Sequence, residues 1–344
     1  MKKSLLALAV LGAVAGAAQA QSSITVYGVL DMAVQSENNG GAAGAKTGLD
    51  SGIQSGSRLG FKGTEDLGGG LKANFKLEMG VNADEGASAQ GKKTFGRNAT
   101  VGLSGDFGAV NMGRQNIPLF NAVDSIDPFS TGVVSAHAGE GTSGYGAAAF
   151  FLPGTWDPRS NNTINYSTND ISGFAGTVAY TFGEVAGDIG NTRQLGASAS
   201  YNAGPISAVA AYHVANNVKD SAGVDLGQFK TAYAGATYDF GMVKAAAAYA
   251  NMTGKKAWML GATVPVSAAD AVIASFTRVT DKTAATDNHG NQFALGFTHS
   301  MSKRTNLYTS FSRTANDANS NAGGLAAGNG LTDRLFNVGV RHMF

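Results

Sequence analysis

The stretch RLGFKGTEDLGGGLKANFKLE, residues 58–78, alternates apolar and polar side chains on both sides of a glycine-rich turn. After the turn, one set of alternate positions is apolar and the other is polar or charged: Leu71, Ala73, Phe75 and Leu77 against Lys72, Asn74, Lys76 and Glu78. Strict alternation predicts two β-strands, each with one apolar and one polar face. A soluble sheet would bury its apolar face in a core, so the rest of the chain must show what covers this one.

The composition of the chain is low in charge and rich in glycine. Only 14% of its 344 residues are charged, against roughly 25% in an average soluble protein. It has 48 glycines, 6 prolines and no cysteine, so disulfides contribute nothing to its stability. The formal net charge of +1 gives no reason to expect a nucleic-acid partner.

The first twenty residues have the composition of a secretory signal peptide. Lys2 and Lys3 precede an apolar run over residues 5–18, and Ala18-Gln19-Ala20 supplies a small-residue cleavage site. We expect cleavage after Ala20, which leaves residues 21–344 as the mature domain. No later stretch has 18 consecutive apolar residues, so transmembrane helices are not expected. An exported chain of this kind would be periplasmic, secreted or an outer-membrane barrel.

From residue 23 onward, segments of about ten residues repeat the alternation, and short and long connections take turns between them. The seven short connections lie near residues 65–70, 106–108, 169–173, 202–205, 239–241, 267–270 and 302–303. The eight longer ones lie near residues 37–51, 83–92, 115–160, 185–191, 216–227, 252–256, 281–289 and 315–331. Fifteen connections predict sixteen strands. The pattern is typical of an all-β, 16-stranded antiparallel transmembrane β-barrel.

The longest connection, about residues 115–160, is too long to be a simple turn. It is rich in glycine, alanine and aromatic residues, and it carries Asp124, Asp127, His137 and Glu140. A loop this apolar should pack on another surface, and the lumen of a sixteen-stranded barrel offers the space. We therefore predict that this third external loop is folded inward.

A membrane barrel also answers the question raised by residues 58–78. Lipid covers the apolar face, water in the lumen covers the polar face, and closure of the barrel satisfies the backbone hydrogen bonds. The same alternation could build a periplasmic β-sandwich or a secreted adhesin, but strands of such proteins are expected to be less regular.

Four blocks of the sequence resemble the general, non-specific outer-membrane porins of β-proteobacteria. They are SSITVYGVLDMAV (22–34), SGSRLGFKGTEDLGGGLKANFKLE (55–78), FGRNATVGLSGDFGAVNMGRQ (95–115) and NVGVRHMF (337–344). The matching spacing runs over the whole mature chain, whereas residues 117–156 are more individual. The resemblance implies a homotrimer of sixteen-stranded barrels, each a separate pore narrowed by the third external loop.

The resemblance also implies a cluster of arginines on the pore wall that faces this loop. The matching positions are Arg58 in SGSRLG, Arg97 in FGRNA and Arg159 in DPRSNNTINY. As their acidic partners we expect Asp124 and Asp127, with Glu140 as a third candidate.

The predicted partners are those of an outer-membrane protein. They are outer-membrane lipid and lipopolysaccharide, the barrel-assembly machinery, and small hydrophilic solutes and ions, with no nucleic acid. The pattern of Asn337, Gly339, His342 and Phe344 resembles the C-terminal signal that the assembly machinery recognises.

The predicted function is passive diffusion of small hydrophilic solutes through a water-filled channel. Arg58, Lys62, Lys72 and Lys76 share the lumenal parity against Glu78, which predicts a mild preference for anions. No enzymatic motif is evident, the five histidines show no metal-ligand spacing, and no cofactor is expected. A solute-specific porin of the same architecture stays open as an alternative, as does an outer-membrane enzyme or adhesin built on a β-barrel.

Overall fold

The computed structural model describes residues 23–132, 148–152, 158–218, 223–286, 288–321 and 324–344. The predicted signal peptide with Ala20, and the loop residues His137 and Glu140, lie outside the described residues. Within them the strands form one sheet that closes on itself, because the first strand pairs with the last. No helix in the described ranges is long and apolar enough to cross a membrane.

The alternating segments form eighteen strand segments in the described residues. They are β1 Ser23–Asn38, β2 Lys46–Ser51, β3 Arg58–Gly68, β4 Leu71–Asn82, β5 Ala87–Ser88, β6 Asn98–Gly105, β7 Gly108–Asn116, β8 Arg159–Ser167, β9 Phe174–Thr181, β10 Gln194–Ala203, β11 Ile206–Ala215, β12 Phe229–Asp239, β13 Lys244–Met252, β14 Lys255–Pro265, β15 Asp270–Asp281, β16 His289–Ser300, β17 Thr305–Asn316 and β18 Thr332–Met343. The α-helical segments are α1 Ala89–Lys92, α2 Pro118–Ile126 and α3 Ala148–Phe151.

These segments build a barrel of sixteen antiparallel strands, which confirms the predicted fold class. β2 and β3 both pair with β1, beside residues 32–37 and 23–29 respectively, so they are two halves of one barrel strand. β5 has two residues and pairs with the end of β4 only. Residues 46–51 were expected in a loop, and this part of the prediction is wrong. These residues, KTGLDS, are mostly polar and are exposed or half-exposed, and such a composition does not by itself distinguish a strand from a loop.

The alternation places two kinds of side chain on opposite faces of the barrel wall. On β18, Phe336 and Val338 are about half exposed, whereas Asn337 between them is fully buried. On β1, Leu30 is exposed and Asp31 is fully buried. Apolar side chains are outside and polar ones inside, the reverse of a soluble sheet, as a barrel in lipid requires. We call these the outer face and the inner face of the wall.

The hairpin of residues 58–78 has a tighter turn than the sequence suggested. β3 continues to Gly68 and β4 begins at Leu71, so only Gly69 and Gly70 connect them. Both glycines have positive φ, +60° and +81°, which side-chain-bearing residues rarely adopt. The register shifts between Asp66 and Gly68, where a bulge absorbs the extra residue.

The connection near residues 252–256, expected to be long, is a two-residue turn. β13 ends at Met252 and β14 begins at Lys255, which leaves Thr253 and Gly254. The polarity of this stretch comes partly from Lys255 and Lys256, which are strand residues. The strand count does not change, because a tight turn and a long loop both reverse the chain.

The described part of the connection between β7 and β8 packs against the inner face. α2 begins at Pro118, whose missing N–H suits the first turn of a helix. Leu119, Val123 and Ile126 are buried in one apolar cluster with wall residues of β11 to β15, among them Ala211, Ala215, Tyr233, Ala248 and Met259.

Glycines on four alternate strands, β10, β12, β14 and β16, leave room for this segment. A Cβ added to any of them would lie within about 3 Å of the segment: Gly196 2.9 Å from Pro118 Cδ, Gly235 3.0 Å from Ile126 Cγ1, Gly261 2.5 Å from Pro128 Cγ and Gly296 2.8 Å from Phe129 Cε1. Residues 118–129 therefore lie in a shallow depression that runs across the inner face of the wall. A larger residue in place of any of these glycines would fill it.

Candidate functional site

Arg58 follows directly on the interruption between β2 and β3. Its Nη2 donates to Ser55 Oγ, and the backbone N–H of Ser55 donates to Asp31 Oδ2 at 2.5 Å. The other oxygen of Asp31 accepts from the hydroxyl of Tyr308, also at 2.5 Å. The residues between the two strand halves are thus tied to β1 and β17, and they carry Arg58 on the inner face.

Arg97 lies just before β6 and forms an ion pair with Glu78 of β4. Arg97 Nε donates to Glu78 Oε1 at 2.8 Å, and the side chains are 12% and 7% exposed. The hydroxyl of Tyr27 donates to Glu78 Oε2 at 2.7 Å, and Lys76 Nζ lies 3.4 Å from the same oxygen. Glu78 therefore has two cationic neighbours, and the surplus of positive charge remains on this part of the wall.

Arg159 is the first residue of β8 and contacts the long connection. Its guanidinium carbon lies 5.9 Å from the ring centroid of Phe120 in α2, within the range of a cation–π interaction. Arg159 as a whole residue is 5% exposed. It therefore links the wall to α2 by packing as well as by charge.

Asp124 is the acidic group of the connection that interacts with the three arginines. The charges of Arg58, Arg97 and Arg159 all act on its carboxylate, and Thr131 Oγ1 donates to its Oδ1 at 2.7 Å. Burial raises the pKa of Asp124 above its ordinary value, and Thr131 and the arginines oppose the rise. The three arginines of the wall and the carboxylate of Asp124 in the long connection thus lie close enough to interact.

Asp127 is placed differently from the expectation that it faces the arginines. Its carboxylate accepts from the backbone N–H groups of Phe129 and Thr131, each at 3.0 Å. Burial raises the pKa of Asp127 to about 6. Asp127 therefore organises the turn that follows α2. Glu140, the third candidate, lies outside the described residues.

The three predicted lysines do not form one group. Lys62 and Lys76 are opposite each other in the β3–β4 ladder, and their Nζ atoms lie 5.4 and 6.0 Å from the ring centroid of Tyr27. Lys72 is exposed and pairs with Asp66 beside the glycine turn. It belongs to the rim of the barrel, away from the arginines.

Arg341 joins the cluster and was not among the predicted site residues. Its Nε donates to Asn306 Oδ1 at 3.0 Å, and its charge acts on both Asp31 and Arg58. The alternation of β18 places Arg341 on the same face as Asn337. The sequence pattern could therefore have identified Arg341 as an inner-face residue. Its approach to Arg58 required the closed barrel.

Comparison with known proteins determines the family to which the chain belongs. The family model of the Gram-negative porins matches residues 7–319. The chain belongs to the Gram-negative porin family. It is 35% identical to outer membrane porin protein 32 of Delftia acidovorans and 33% identical to an outer membrane porin protein of Bordetella pertussis, in both cases over the full length of both chains. It is therefore an outer-membrane channel protein.

Solved porin structures share its fold. The anion-selective porin from Comamonas acidovorans superposes with a TM-score of 0.78 and 31% identity, over 94% of this chain and 100% of that chain. OmpT of Vibrio cholerae in its trimer form superposes with a TM-score of 0.65 at 16% identity, over 94% and 99% of the two chains. The second likeness is one of fold alone.

In this porin, the four residues of the C-terminal pattern lie at the seam that closes the barrel. Asn337 is fully buried and accepts from Ser310 Oγ at 2.9 Å, and Gly339 leaves room for the ring of Tyr308. His342 contacts Thr305 at 2.8 Å, and the backbone of Phe344 exchanges two hydrogen bonds with Gly28. Their role as an assembly signal stays a prediction.

Proposed function

We propose that the barrel is a general diffusion channel that prefers anions. The observation that carries the proposal is the cluster of Arg58, Arg97, Arg159 and Arg341 on the inner face, against the few carboxylates near it. Of these carboxylates, Asp31 is fully buried and Glu78 is shared by Arg97 and Lys76. The similar porin from Comamonas acidovorans is described as anion-selective, which supports the same preference here.

We also infer that the third external loop is folded into the lumen and narrows it. The packing of α2 on the inner face and the interaction of Asp124 with the three arginines support this inference. In such a constriction, cations on one side and a carboxylate on the other set up a transverse field. Basic side chains in a confined pore raise the local concentration of anions and hence their flux.

Recording single channels of the purified protein in planar bilayers tests the ion preference. In a salt gradient of KCl, the reversal potential should have the sign of a chloride-preferring pore. A reversal potential of the opposite sign would overturn the proposed preference.

We propose a homotrimer as the assembly, in line with the trimer form of OmpT from Vibrio cholerae. Under a high voltage, one inserted assembly should then close in three equal conductance steps. Closure of each inserted assembly in a single step would argue for a monomeric channel. Contacts with lipopolysaccharide and with the barrel-assembly machinery belong to the same proposal.

A further inference from the structure

The connection between β17 and β18, residues 317–331, is folded on itself, and we call it the β17–β18 loop. Within its described residues, 317–321 and 324–331, Ser320 and Ala326 are buried. The backbone N–H of Gly330 donates to the carbonyl of Ser320 at 3.0 Å, and Asn321 Nδ2 donates to the carbonyl of Ala326 at 2.9 Å. A surface loop that is closed by its own contacts behaves as a compact unit.

The β17–β18 loop lies at the extracellular end of the barrel. The opposite ends of these strands are joined by short connections, such as residues 301–304 between β16 and β17. In outer-membrane barrels the short turns are periplasmic and the long loops extracellular. The loop is therefore at the mouth through which external solutes enter.

Three contacts hold the β17–β18 loop inward. Leu325 packs against the apolar cluster that α2 and the inner face of β11 to β15 build. Asn319 Nδ2 donates to the carbonyl of Thr286 at 3.2 Å, and the backbone N–H of Ala327 donates to the carbonyl of Asn39 at 2.9 Å. Because the cluster lies on the inner face, the loop must bend over the rim to reach it. The loop therefore covers part of the extracellular mouth.

Two carboxyl groups contact each other at the base of this loop. Glu37 of β1 and Asp333 of β18 are 1% and 2% exposed, and their side chains form a hydrogen bond with each other. We call them the carboxyl pair. Only a protonated carboxyl can donate a hydrogen bond, so this contact requires one proton on the pair. The pair joins the two strands from which the β17–β18 loop and its partner Asn39 extend.

The neighbouring strands supply little positive charge to the carboxyl pair. Thr314, opposite Asp333 in the β17–β18 ladder, is neutral, and Arg334 alternates to the outer face. Lys46 is opposite Glu37 in the β1–β2 ladder, but it is exposed to solvent. The charge that acts on Asp333 is that of Glu37. The two carboxyl groups therefore depend mainly on each other.

The charged groups of the adjoining loops have partners of their own. Residues 39–45 carry no charge. The described charged residues of the other two loops and of the strand end beside them are Asp317, which accepts from the backbone N–H of His289 at 3.0 Å, Asp281, which accepts from Thr283 Oγ1 at 2.6 Å, and Lys282, which donates to Asn251 at 2.9 Å.

Loss of the shared proton would break the contact at the base of the loop. Two carboxyl groups in contact cannot both ionise readily, so one keeps its proton into a pH range in which an isolated carboxyl is ionised. When that proton passes to water, the hydrogen bond is lost and the two negative charges repel each other. Asp333 Oδ1 is buried and has no hydrogen-bond partner among the described residues, so its new charge would be poorly compensated.

We propose that the β17–β18 loop is a pH-dependent lid over the extracellular mouth, held closed while Glu37 and Asp333 share a proton and released when both are ionised. The inward packing of Leu325 and the position of the carboxyl pair at the base of the loop support this assignment. The lid goes beyond the proposed channel function and is independent of ion preference. The reversal potential reports the preference, whereas the time spent at each conductance level reports the lid.

Single-channel recording of the full chain between pH about 5 and pH about 9 tests the lid. The ratio of time at reduced conductance to time fully open should fall about fivefold or more as the pH rises, since two unit charges about 4 Å apart repel enough even in water to shift an equilibrium by that factor. Asp333→Asn keeps a hydrogen-bond donor for Glu37 but cannot ionise. It should stay in the low-pH state throughout.

The matched control is Asp317→Asn, which neutralises a carboxyl of the same loop but keeps an oxygen that can accept from His289. It should retain the pH response of the wild type, and so should Asp124→Asn. A wild-type ratio that does not change with pH, a full response in Asp333→Asn, or an equal loss in Asp317→Asn would overturn the proposal.

A second measurement follows the loop itself. The chain has no cysteine, so Leu325→Cys places a single thiol where the closed lid packs on the cluster. Its rate of modification by a membrane-impermeant thiol reagent is divided by that of Asn329→Cys, an exposed position of the same loop, to correct for ionisation of the thiol. This ratio should rise about fivefold as the pH is raised over the same range, and it should stay low in L325C/D333N. A ratio independent of pH in L325C would overturn the proposal.

Discussion

At the scale of single residues, the hydrogen-bond and ion-pair partners of a charged side chain decide how strongly its charge acts on ions in the pore. Glu78 has Arg97, Lys76 and Tyr27 around it, so most of its charge is compensated locally. Arg58 donates to a neutral hydroxyl, and its positive charge is compensated less. Among the residues predicted from the sequence, Arg58 is therefore expected to contribute strongly to anion preference.

Replacing Arg58 with Gln should lower the permeability of chloride relative to potassium. A unit charge a few ångströms from a permeating ion in water is worth about 1 kcal/mol, so we expect a change of about fivefold. The reversal potential in a KCl gradient measures it. Lys72→Gln removes the same charge at the rim and should have little effect. Equal effects of the two variants would contradict the assignment of Arg58.

Asp124 should make the ion preference depend on pH. Burial raises its pKa, so it becomes neutral as the pH falls through a range above the usual carboxyl value of about 4. The arginines then lose their acidic counterpart, and anion preference should increase at low pH. Asp124→Asn should show the high preference already at neutral pH and a flatter profile. An unchanged pH profile in this variant would exclude Asp124 as the titrating group.

At the scale of elements, the packing of α2 and the following turn depends on the shape of the wall. Glycines on β10, β12, β14 and β16 form the depression in which residues 118–129 lie. The two hydrogen bonds to Asp127 fix the turn after α2. The position of this segment is thus determined by close contacts between its side chains and the wall glycines, which larger wall residues would exclude.

Gly261→Ala tests this packing. The new Cβ would lie 2.5 Å from Pro128 Cγ, closer than side chains approach, so the segment must move. We expect altered single-channel conductance with more frequent current fluctuations. Alanine suits a strand interior better than glycine. An altered conductance would therefore come from the close contact with Pro128. The matched control is Gly176→Ala, whose Cβ would have its first neighbours at 3.8 Å, and it should behave as wild type.

The sequence predicted the facing of strand residues correctly, but it did not predict the contacts of the turn after α2. The alternation in residues 58–78 was sufficient to place Arg58, Lys62 and Glu78 on one face, because the period of a strand is a local property. Asp127 could not be assigned in the same way. Its partners, Phe129 and Thr131, are near in sequence, but the burial of the turn comes from the wall against which it packs.

At the scale of the whole molecule, closure of the barrel joins the two ends of the described chain. β1 pairs with β18, and Phe344 exchanges backbone hydrogen bonds with Gly28 at 3.0 and 3.1 Å. The ring of Phe344 lies over Gly28, which has no side chain to obstruct it. Phe344 therefore contributes to the seam together with the β1–β18 ladder.

Phe344→Ala should lower the thermal stability of the folded barrel, because the ring no longer covers the seam. Loss of a half-exposed aromatic side chain is expected to reduce the free energy of unfolding by about 1–2 kcal/mol. Folding into lipid vesicles without assembly machinery, followed by heating, measures this. Phe344→Tyr keeps the ring and should be stable. If Phe344→Ala were as stable as wild type in vitro but poorly assembled in cells, recognition alone would explain the residue.

The barrel could be predicted from the amino-acid order, because alternation, turn residues and the succession of short and long connections are local patterns. The composition of the basic cluster and the break between β2 and β3 could not, since both depend on contacts between distant strands. Asp31 meets Tyr308 across 277 positions of the chain, and Gln54 meets Asn306 across 252. Such contacts exist only once the barrel has closed, and no periodicity in a single strand specifies them.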